Sequence, residues 1–229
     1  MDIKECTEQN EIRTLRPEQT NRKRAVLSLR ARLIFLLFVI AIPLTGMVLG
    51  IQNMFESYSG AYDGIMENLK IANNYNLSFK EDMEYSMYRV MIGLIDAGQF
   101  ENGDIVEGTT KYATVVKNPH SLIASARQAF EKTIDREAGS DCDIKIRGIL
   151  SCLDSLERAV DKMIANSAEG GKYDENVSIW ENDIQGLCSM IQEYITQYIY
   201  YETINMEHLQ NELKLKMADR MQGYLALLA

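Results

Sequence analysis

The chain has 229 residues and a net charge of −9, and its charge is divided by one largely apolar stretch of nineteen residues without a charge, 33–51. Residues 1–32 hold eight basic and five acidic groups, whereas residues 53–229 hold 16 basic and 28 acidic groups, an excess that should repel nucleic acid. With two histidines in the whole chain, no hydrolytic triad or zinc motif is recognisable, so we expect no catalytic residue, no metal and no cofactor.

Residues 33–51 predict a transmembrane helix, because nineteen residues at about 1.5 Å each nearly cross the roughly 30 Å hydrocarbon core of a bilayer. Five basic residues closely precede them, and the positive-inside rule then predicts a cytoplasmic tail at 1–32 with the bulk of the chain extracytoplasmic. A cleaved signal peptide is the alternative, but no small-residue cleavage pattern follows the stretch. We therefore expect an uncleaved anchor in contact with membrane lipid.

After the anchor, apolar or small residues recur in steps of three and four, which predicts a long first helix ending near Gly98. Residues 98–118 hold three glycines and a β-branched patch, and predict a loop or lid with a short strand. A second helix is expected from Ser121 to a stop at Gly139. Its apolar face is predicted at Leu122, Ala126, Phe130 and Ile134.

The third helix is predicted over residues 143–167 from a seam spaced three, four, three, four, three. That seam consists of Ile146, Ile149, Leu153, Leu156, Val160 and Met163. Asp174 is expected to cap a fourth helix that runs on toward the end of the chain. Its predicted seam consists of Val177, Trp180, Ile184, Leu187, Ile191, Tyr194 and Tyr198.

These elements predict an all-α fold, a membrane-anchored up-down antiparallel four-helix bundle with long first and last helices. The helical domain is expected to span residues 52–223. The last helix should then head back to the membrane, and residues 224–229, YLALLA, are expected to be the start of a truncated second transmembrane helix.

The last helix carries a family resemblance. Residues 173–202, YDENVSIWENDIQGLCSMIQEYITQYIYYE, with ELKLK at 212–216, resemble the extracytoplasmic input region of Gram-positive bacterial two-component sensor histidine kinases. The resemblance implies a cytoplasmic tail, a first span with a central proline, a helical sensor domain and a second span leading to a HAMP linker and kinase core. It also implies a homodimer. No kinase element lies in these 229 residues.

Two aromatic clusters are candidate ligand-binding sites. Tyr85, Tyr88 and Arg89 lie on the first helix, where Arg89 either binds an anionic ligand or pairs with an acid of a neighbouring helix, and pairing is the favoured interpretation. Tyr198 and Tyr201 share a face of the last helix, where filling the core is the favoured alternative.

Cys152 and Cys188 each lie 18 residues from Gly170, so an antiparallel helical hairpin would hold them at nearly the same height. They are a candidate disulfide, which would typically add about 2–4 kcal/mol of stability. The alternative is a pair of buried thiols, because the two cysteines flank the predicted seams on sides that need not face each other.

Together these features predict a signal-input module that senses an unidentified external ligand, protein or stress and transmits it by a small helix displacement. The ligand-binding region of a methyl-accepting chemoreceptor has the same layout and is the nearest alternative. A non-signalling membrane-anchored helical scaffold is the alternative from another class. Any catalysis in the intact protein would belong to a kinase core outside these residues.

Overall fold

The computed structural model describes residues 29–109, 113–133, 139–170 and 172–228. The chain forms two compact units, Met1–Met47 and Val48–Ala229. The tail predicted at residues 1–32 therefore lies almost wholly outside the described residues. In chain order the elements are α1 (Leu29–Met91), a 3₁₀ helix (Ala97–Asn102), β1 (Ile105–Glu107), β2 (Thr114–Val116), α2 (Pro119–Lys132), α3 (Asp141–Glu169), α4 (Tyr173–Ile179), a π turn (Trp180–Ile184) and α5 (Gln185–Leu228).

Among the described residues, α1 is the one helix that is long and apolar enough to cross a membrane. None of its most apolar eighteen-residue window is buried against the rest of the protein. Length and composition thus agree with a span at residues 33–51, although the same test is passed by a signal sequence.

The first helix ends earlier than predicted, at Met91 rather than near Gly98. Gly93 has a φ of +70°, a left-handed conformation that glycine adopts without strain. The amide of Gly93 donates to the carbonyl of Val90, and the amide of Leu94 donates to that of Arg89. These two bonds are the Schellman arrangement that closes a helix C-terminus.

The irregular region predicted at residues 98–118 contains two short strands rather than one. β1 and β2 pair antiparallel, with Val106 opposite Val115. Val116, together with Phe100 of the 3₁₀ helix, buries its side chain against the end of α1 in a small separate core. The hairpin is therefore held to α1 by apolar packing.

The second helix begins two residues before the predicted start. Asn118 is its N-cap, since its side-chain oxygen accepts from the amides of His120 and Ser121, and Pro119 occupies the first turn. Ala126 and Phe130 are buried as predicted. Ile134 and the stretch leading to the predicted stop lie outside the described residues.

The third helix confirms its predicted seam, because all six seam residues are fully buried. It begins at Asp141, two residues before the prediction, after Ser140 caps it by accepting from the amide of Asp143.

The fourth helical segment departs from its prediction in two ways. Asp174 is not the cap: the helix starts at Tyr173, and the preceding Lys172 makes no side-chain capping bond. The buried residues then follow a different stripe from the strict seam, namely Asn176, Ile179, Ile184, Cys188, Ile191, Ile195, Tyr198 and Glu202.

The π turn explains the altered stripe. The amide of Gln185 donates to the carbonyl of Trp180, five residues earlier, so this turn holds one extra residue. The buried stripe accordingly steps by five from Ile179 to Ile184 and by three or four elsewhere. The predicted seam residues that are not buried pack half-buried at the edge of the core, namely Val177, Trp180, Leu187 and Tyr194.

The main core of the second unit draws its buried side chains from α1, α2, α3, α4 and α5. Burying each large apolar side chain of this kind contributes roughly 1.5–3 kcal/mol. The fold class is therefore all-α apart from the short hairpin, as predicted.

Candidate functional site

A ladder of polar contacts joins α1 to α5. As residue numbers rise along α1, they fall along α5, so the two helices are antiparallel. The contacts are Lys80 Nζ to Ser189 Oγ (3.0 Å), Thr196 Oγ1 to Asn76 Oδ1 (3.4 Å) and Asn68 Nδ2 to Glu202 Oε1 (3.3 Å). Hydrogen bonds between helix surfaces can exchange partners at little loss of apolar packing, so this contact suits small relative displacements.

The same pairing continues to the part of α1 that follows the apolar stretch and to the C-terminal part of α5. The Nζ of Lys216 lies 5.4 Å from the ring centroid of Tyr58. The pKa of Lys216 is raised by its hydrogen bond to Glu212, with a further contribution from Tyr58. Farther along, Arg220 Nη1 donates to the carbonyl of Gly50 at 3.2 Å. The end of α5 thus lies beside the last residues of the apolar stretch.

We call residues 48–66 of α1 and 205–226 of α5 the stalk. Among the described residues, the stalk buries one side chain, Met54. The start of α3 contacts the stalk at Asn205, beside Cys142. A cavity of about 150 Å³ opens between its two helices and is lined mainly by apolar or aromatic residues, including Phe55, Tyr62 and Leu213. Several large apolar side chains of the stalk remain exposed, namely Phe55, Met66, Leu215, Met221 and Leu225.

In the first predicted ligand cluster, Arg89 is paired with an acid of the protein itself. Arg89 forms an ion pair with Glu107 of β1, and its guanidinium carbon lies 5.7 Å from the ring centroid of Tyr85. The hydrogen bond to Glu107 raises the pKa of Arg89. Pairing with an acid was the favoured sequence interpretation, and the structure supplies that acid from a strand rather than a helix. Arg89 Nε is buried without a hydrogen-bond partner among the described residues.

Tyr88, the third member of this cluster, packs against the π turn, whereas Arg89 contacts Glu107 of β1. Its ring centroid lies 6.0 Å from that of Trp180, with the rings tilted by 56°. The C-terminal end of α1 is therefore in contact with the π turn.

Tyr198 is a core residue, fully buried on the inner face of α5. Its hydroxyl donates to Glu202 Oε1 at 2.7 Å, and the same oxygen accepts from Asn68. Burial, together with the bond to Glu202, raises the pKa of Tyr198. No ligand can reach this hydroxyl without opening the core, so the structure supports the packing interpretation.

Tyr201 is half-buried and lines a polar cavity of about 560 Å³ at the start of α3. The cavity also contains Cys142, Asn205 and His208, and Asn205 Nδ2 lies 3.4 Å from Cys142 Sγ. Gly139 at its edge adjoins residues 134–138, which lie outside the described part of the chain.

The five predicted ligand residues do not form a single site. Trp180 lies beside Tyr88, and Tyr201 follows it by 21 residues on the same helical stretch, which is about 31 Å of helix. Arg89, Tyr85 and Tyr88 are therefore at one end of the second unit, and Tyr198 and Tyr201 are near its middle.

Cys152 and Cys188 are free, buried thiols in the structure, so the candidate disulfide is not formed. Burial raises the pKa of both thiols, that of Cys188 to about 12. Among the described residues, no group of three or more His, Cys, Asp and Glu side chains could hold a metal ion.

Sequence reasoning missed the α1–α5 ladder. Its members are spaced regularly, since Asn68, Asn76 and Lys80 lie eight and four residues apart on one helical face. That spacing was readable, but nothing in the pattern of α1 alone identifies which helix lies opposite.

No protein-family model, curated protein or solved structure matches the chain.

Proposed function

We propose that residues 52–223 are the extracytoplasmic input domain of a membrane-anchored receptor, with the sensor histidine kinase of a two-component system as its class. An external stimulus shifts α5 against α1, and the shift passes to the membrane. The observation that carries this proposal is the antiparallel α1–α5 contact, which runs from Lys80 and Ser189 down to Gly50 and Arg220.

The up-down four-helix bundle belongs to the same proposal. Besides the α1–α5 pairing, Arg127 of α2 pairs with Asp154 and Glu157 of α3, and Lys145 of α3 lies over the rings of Tyr194 and Tyr201 of α5. These contacts between neighbouring helices support the antiparallel arrangement that we propose, in which the first and last helices continue into the stalk.

A homodimer is the expected assembly, and the stalk supports it. The stalk presents a face about 28 Å long and about 20 Å wide, taking about 1.5 Å per residue and about 10 Å per helix. That is the order of the roughly 800 Å² per partner that a stable interface buries. Both helices of the stalk carry exposed apolar side chains, so a second copy packing on them would complete a four-helix stalk.

The topology of the proposal is tested by cysteine labelling in intact cells. A membrane-impermeant maleimide should label Gly103→Cys and leave Cys6 unlabelled. Position 103 has open space for a side chain but a φ of +105° that strains one, so the folding of the variant is checked by its melting temperature. Labelling of Cys6 with Gly103→Cys protected would reverse the topology, and labelling of neither in cells but both in lysate would place the domain in the cytoplasm.

Signal transfer is tested on the intact gene product in membranes. The double variant Asn76→Cys/Thr196→Cys, whose parent side chains lie 3.4 Å apart, should form a disulfide that fixes α5 against α1. Oxidation should then hold autophosphorylation, measured as acid-labile phosphate, at one level whatever the growth condition. Reduction should restore the response.

A matched control is Ser125→Cys/Thr196→Cys, in which the first cysteine replaces an exposed side chain of α2. It should neither crosslink nor change the response. Acid-labile phosphate absent from the intact product would overturn the kinase class, and base-labile methyl esters in its place would assign the chemoreceptor class instead. A response unaltered by the crosslink would overturn the displacement mechanism.

A further inference from the structure

A groove outside the predicted sites runs between α3 and the stretch from the π turn into α5. Its volume is about 450 Å³, within the range of small-molecule sites. α3 contributes Ser155, Arg158, Ala159 and Lys162 to one wall. Asn182, Asp183, Gly186, Leu187 and Met190 form the other wall. Every one of these residues belongs to the described part of the chain.

Arg158 differs from the other arginines of α2 and α3. Arg127 and Arg147 each pair with carboxylates, whereas Arg158 has no acidic group at ion-pair distance among the described residues. Its Nη2 donates to the neutral hydroxyl of Ser155 at 3.0 Å. In a region with 28 acidic and 16 basic residues, an arginine without a carboxylate partner is an available anion-binding group.

The opposite wall presents the complementary charge. Asp183 lies in the π turn and, within the described ranges, has no cation at ion-pair distance. Arg158 and Asp183 thus line one groove without closing on each other, and open space remains between the two walls. Lys162, the second cation of the groove, is already paired with Glu175 at 3.4 Å.

The floor of the groove is apolar and has room. Leu187 and Met190 provide apolar surface, and Ala159 is small. A Cβ built on Gly186 would meet no atom within 4 Å. The π turn supplies the shape of this wall, and such turns occur frequently at functional sites because they redirect side chains from the regular helical positions.

We infer that this groove binds a small zwitterion with an apolar body, of the amino-acid class. Arg158 holds the carboxylate, Asp183 holds the ammonium group, and Leu187 with Met190 contacts the apolar part. A ligand held in this way bridges α3 to the start of α5. The inference names the ligand class of the proposed sensor, and the role of that ligand as a signal rests on the proposed function. Binding of the ligand to the groove does not depend on signalling.

The test is isothermal titration of the full chain in detergent micelles with a panel of L-leucine, L-phenylalanine, glycyl-L-leucine and glycine betaine. At least one should bind saturably at millimolar concentration or below. For L-leucine the matched probes are 4-methylpentanoate, which lacks the ammonium group, and 3-methylbutylamine, which lacks the carboxylate. Each should bind at least about tenfold more weakly than the zwitterion, since each leaves one charge of the groove unpaired.

Three variants test whether the ligand binds in the groove. Arg158→Gln and Asp183→Asn should each weaken binding by about tenfold or more, and Gly186→Leu should abolish it by filling the open space while keeping the melting temperature at or above that of the parent. Lys214→Gln and Asp219→Asn are the controls, because both residues are exposed on α5 outside the groove. They should leave binding unchanged.

Absence of saturable binding by every member of the panel would overturn the inference. Equal binding of a one-charge probe and its zwitterion, or full binding by a folded Gly186→Leu variant, would do the same. Because the readout is heat of binding, a failure here leaves the crosslinking test of signal transfer unaffected.

Discussion

Arg220 Nη1 donates to the carbonyl of Gly50 at 3.2 Å, across 170 residues of sequence. A Cβ at Gly50 would lie 3.0 Å from Arg220 Nη1 and 3.2 Å from the hydroxyl of Tyr224, so the ends of both side chains would have to shift by a few tenths of an ångström. Gly60, on the same helix, has open space around its Cβ position. The two glycines therefore differ in what their replacement should do.

Gly60→Ala should stabilise the protein by about 0.5–1 kcal/mol, since alanine loses less backbone entropy in a helix than glycine. Gly50→Ala should gain less, because the new methyl group forces the ends of the Arg220 and Tyr224 side chains to shift. Urea unfolding of the two variants in the same detergent measures the difference. Equal stabilisation by both substitutions would show that Arg220 and Tyr224, near the C-terminus of α5, do not pack against Gly50.

The stalk predicts a change of oligomeric state on loss of one exposed aromatic side chain. Phe55 is 60% exposed in the single chain, so Phe55→Ser should weaken the proposed dimer while leaving the melting temperature of the monomer nearly unchanged. Leu77→Ser, at a site 78% exposed but above the stalk, is the control and should leave the dimer intact. Mass photometry in nanodiscs distinguishes the two, and a parent protein that is monomeric at all concentrations contradicts the stalk interface.

Tyr198→Phe should cost about 1–3 kcal/mol of unfolding free energy, because it removes a donor from the buried Glu202. Tyr200→Phe, at a ring 62% exposed, is the matched control and should cost almost nothing. Urea unfolding at neutral pH provides both values.

The same hydroxyl predicts an alkaline dependence. Its pKa is raised in the folded state, so the folded protein keeps a proton that the unfolded chain releases above about pH 10. Stability should therefore fall as pH rises above the unfolded pKa, and this fall should be smaller in Tyr198→Phe. An identical pH slope in the parent and the variant would contradict the role of Tyr198.

The buried thiols predict low reactivity. Because the thiolate is the nucleophile and burial raises the pKa of Cys188 to about 12, Cys152 and Cys188 should resist iodoacetamide in the folded protein at pH values near 8. After denaturation without reductant, both should be alkylated. Mass spectrometry reads both states, and a pair that remains unmodified until reduction would demonstrate a disulfide.

Much of the helical layout was predictable because apolar spacing is a local property. The seam of α3, including Ile149 and Leu153, follows from steps of three and four in the sequence alone. The end of α1 was misplaced because Gly93 and Gly98 are alike in composition, and only the backbone φ of Gly93 shows which one closes the helix. The sequence did not identify Glu107 as the partner of Arg89, because Glu107 lies in a hairpin strand whose position depends on tertiary packing.

The extra residue in the turn from Trp180 to Ile184 has an evolutionary consequence. Deleting one residue from an ordinary helix rotates everything beyond it by about 100° and removes its apolar face from the core. Deletion of Asn182 from this turn would instead restore the regular helical repeat, so that Ile184 and the 44 residues of α5 keep their orientation. Variation in chain length should therefore be tolerated here among descendants of this sequence, while the rest of the helix remains constant in length.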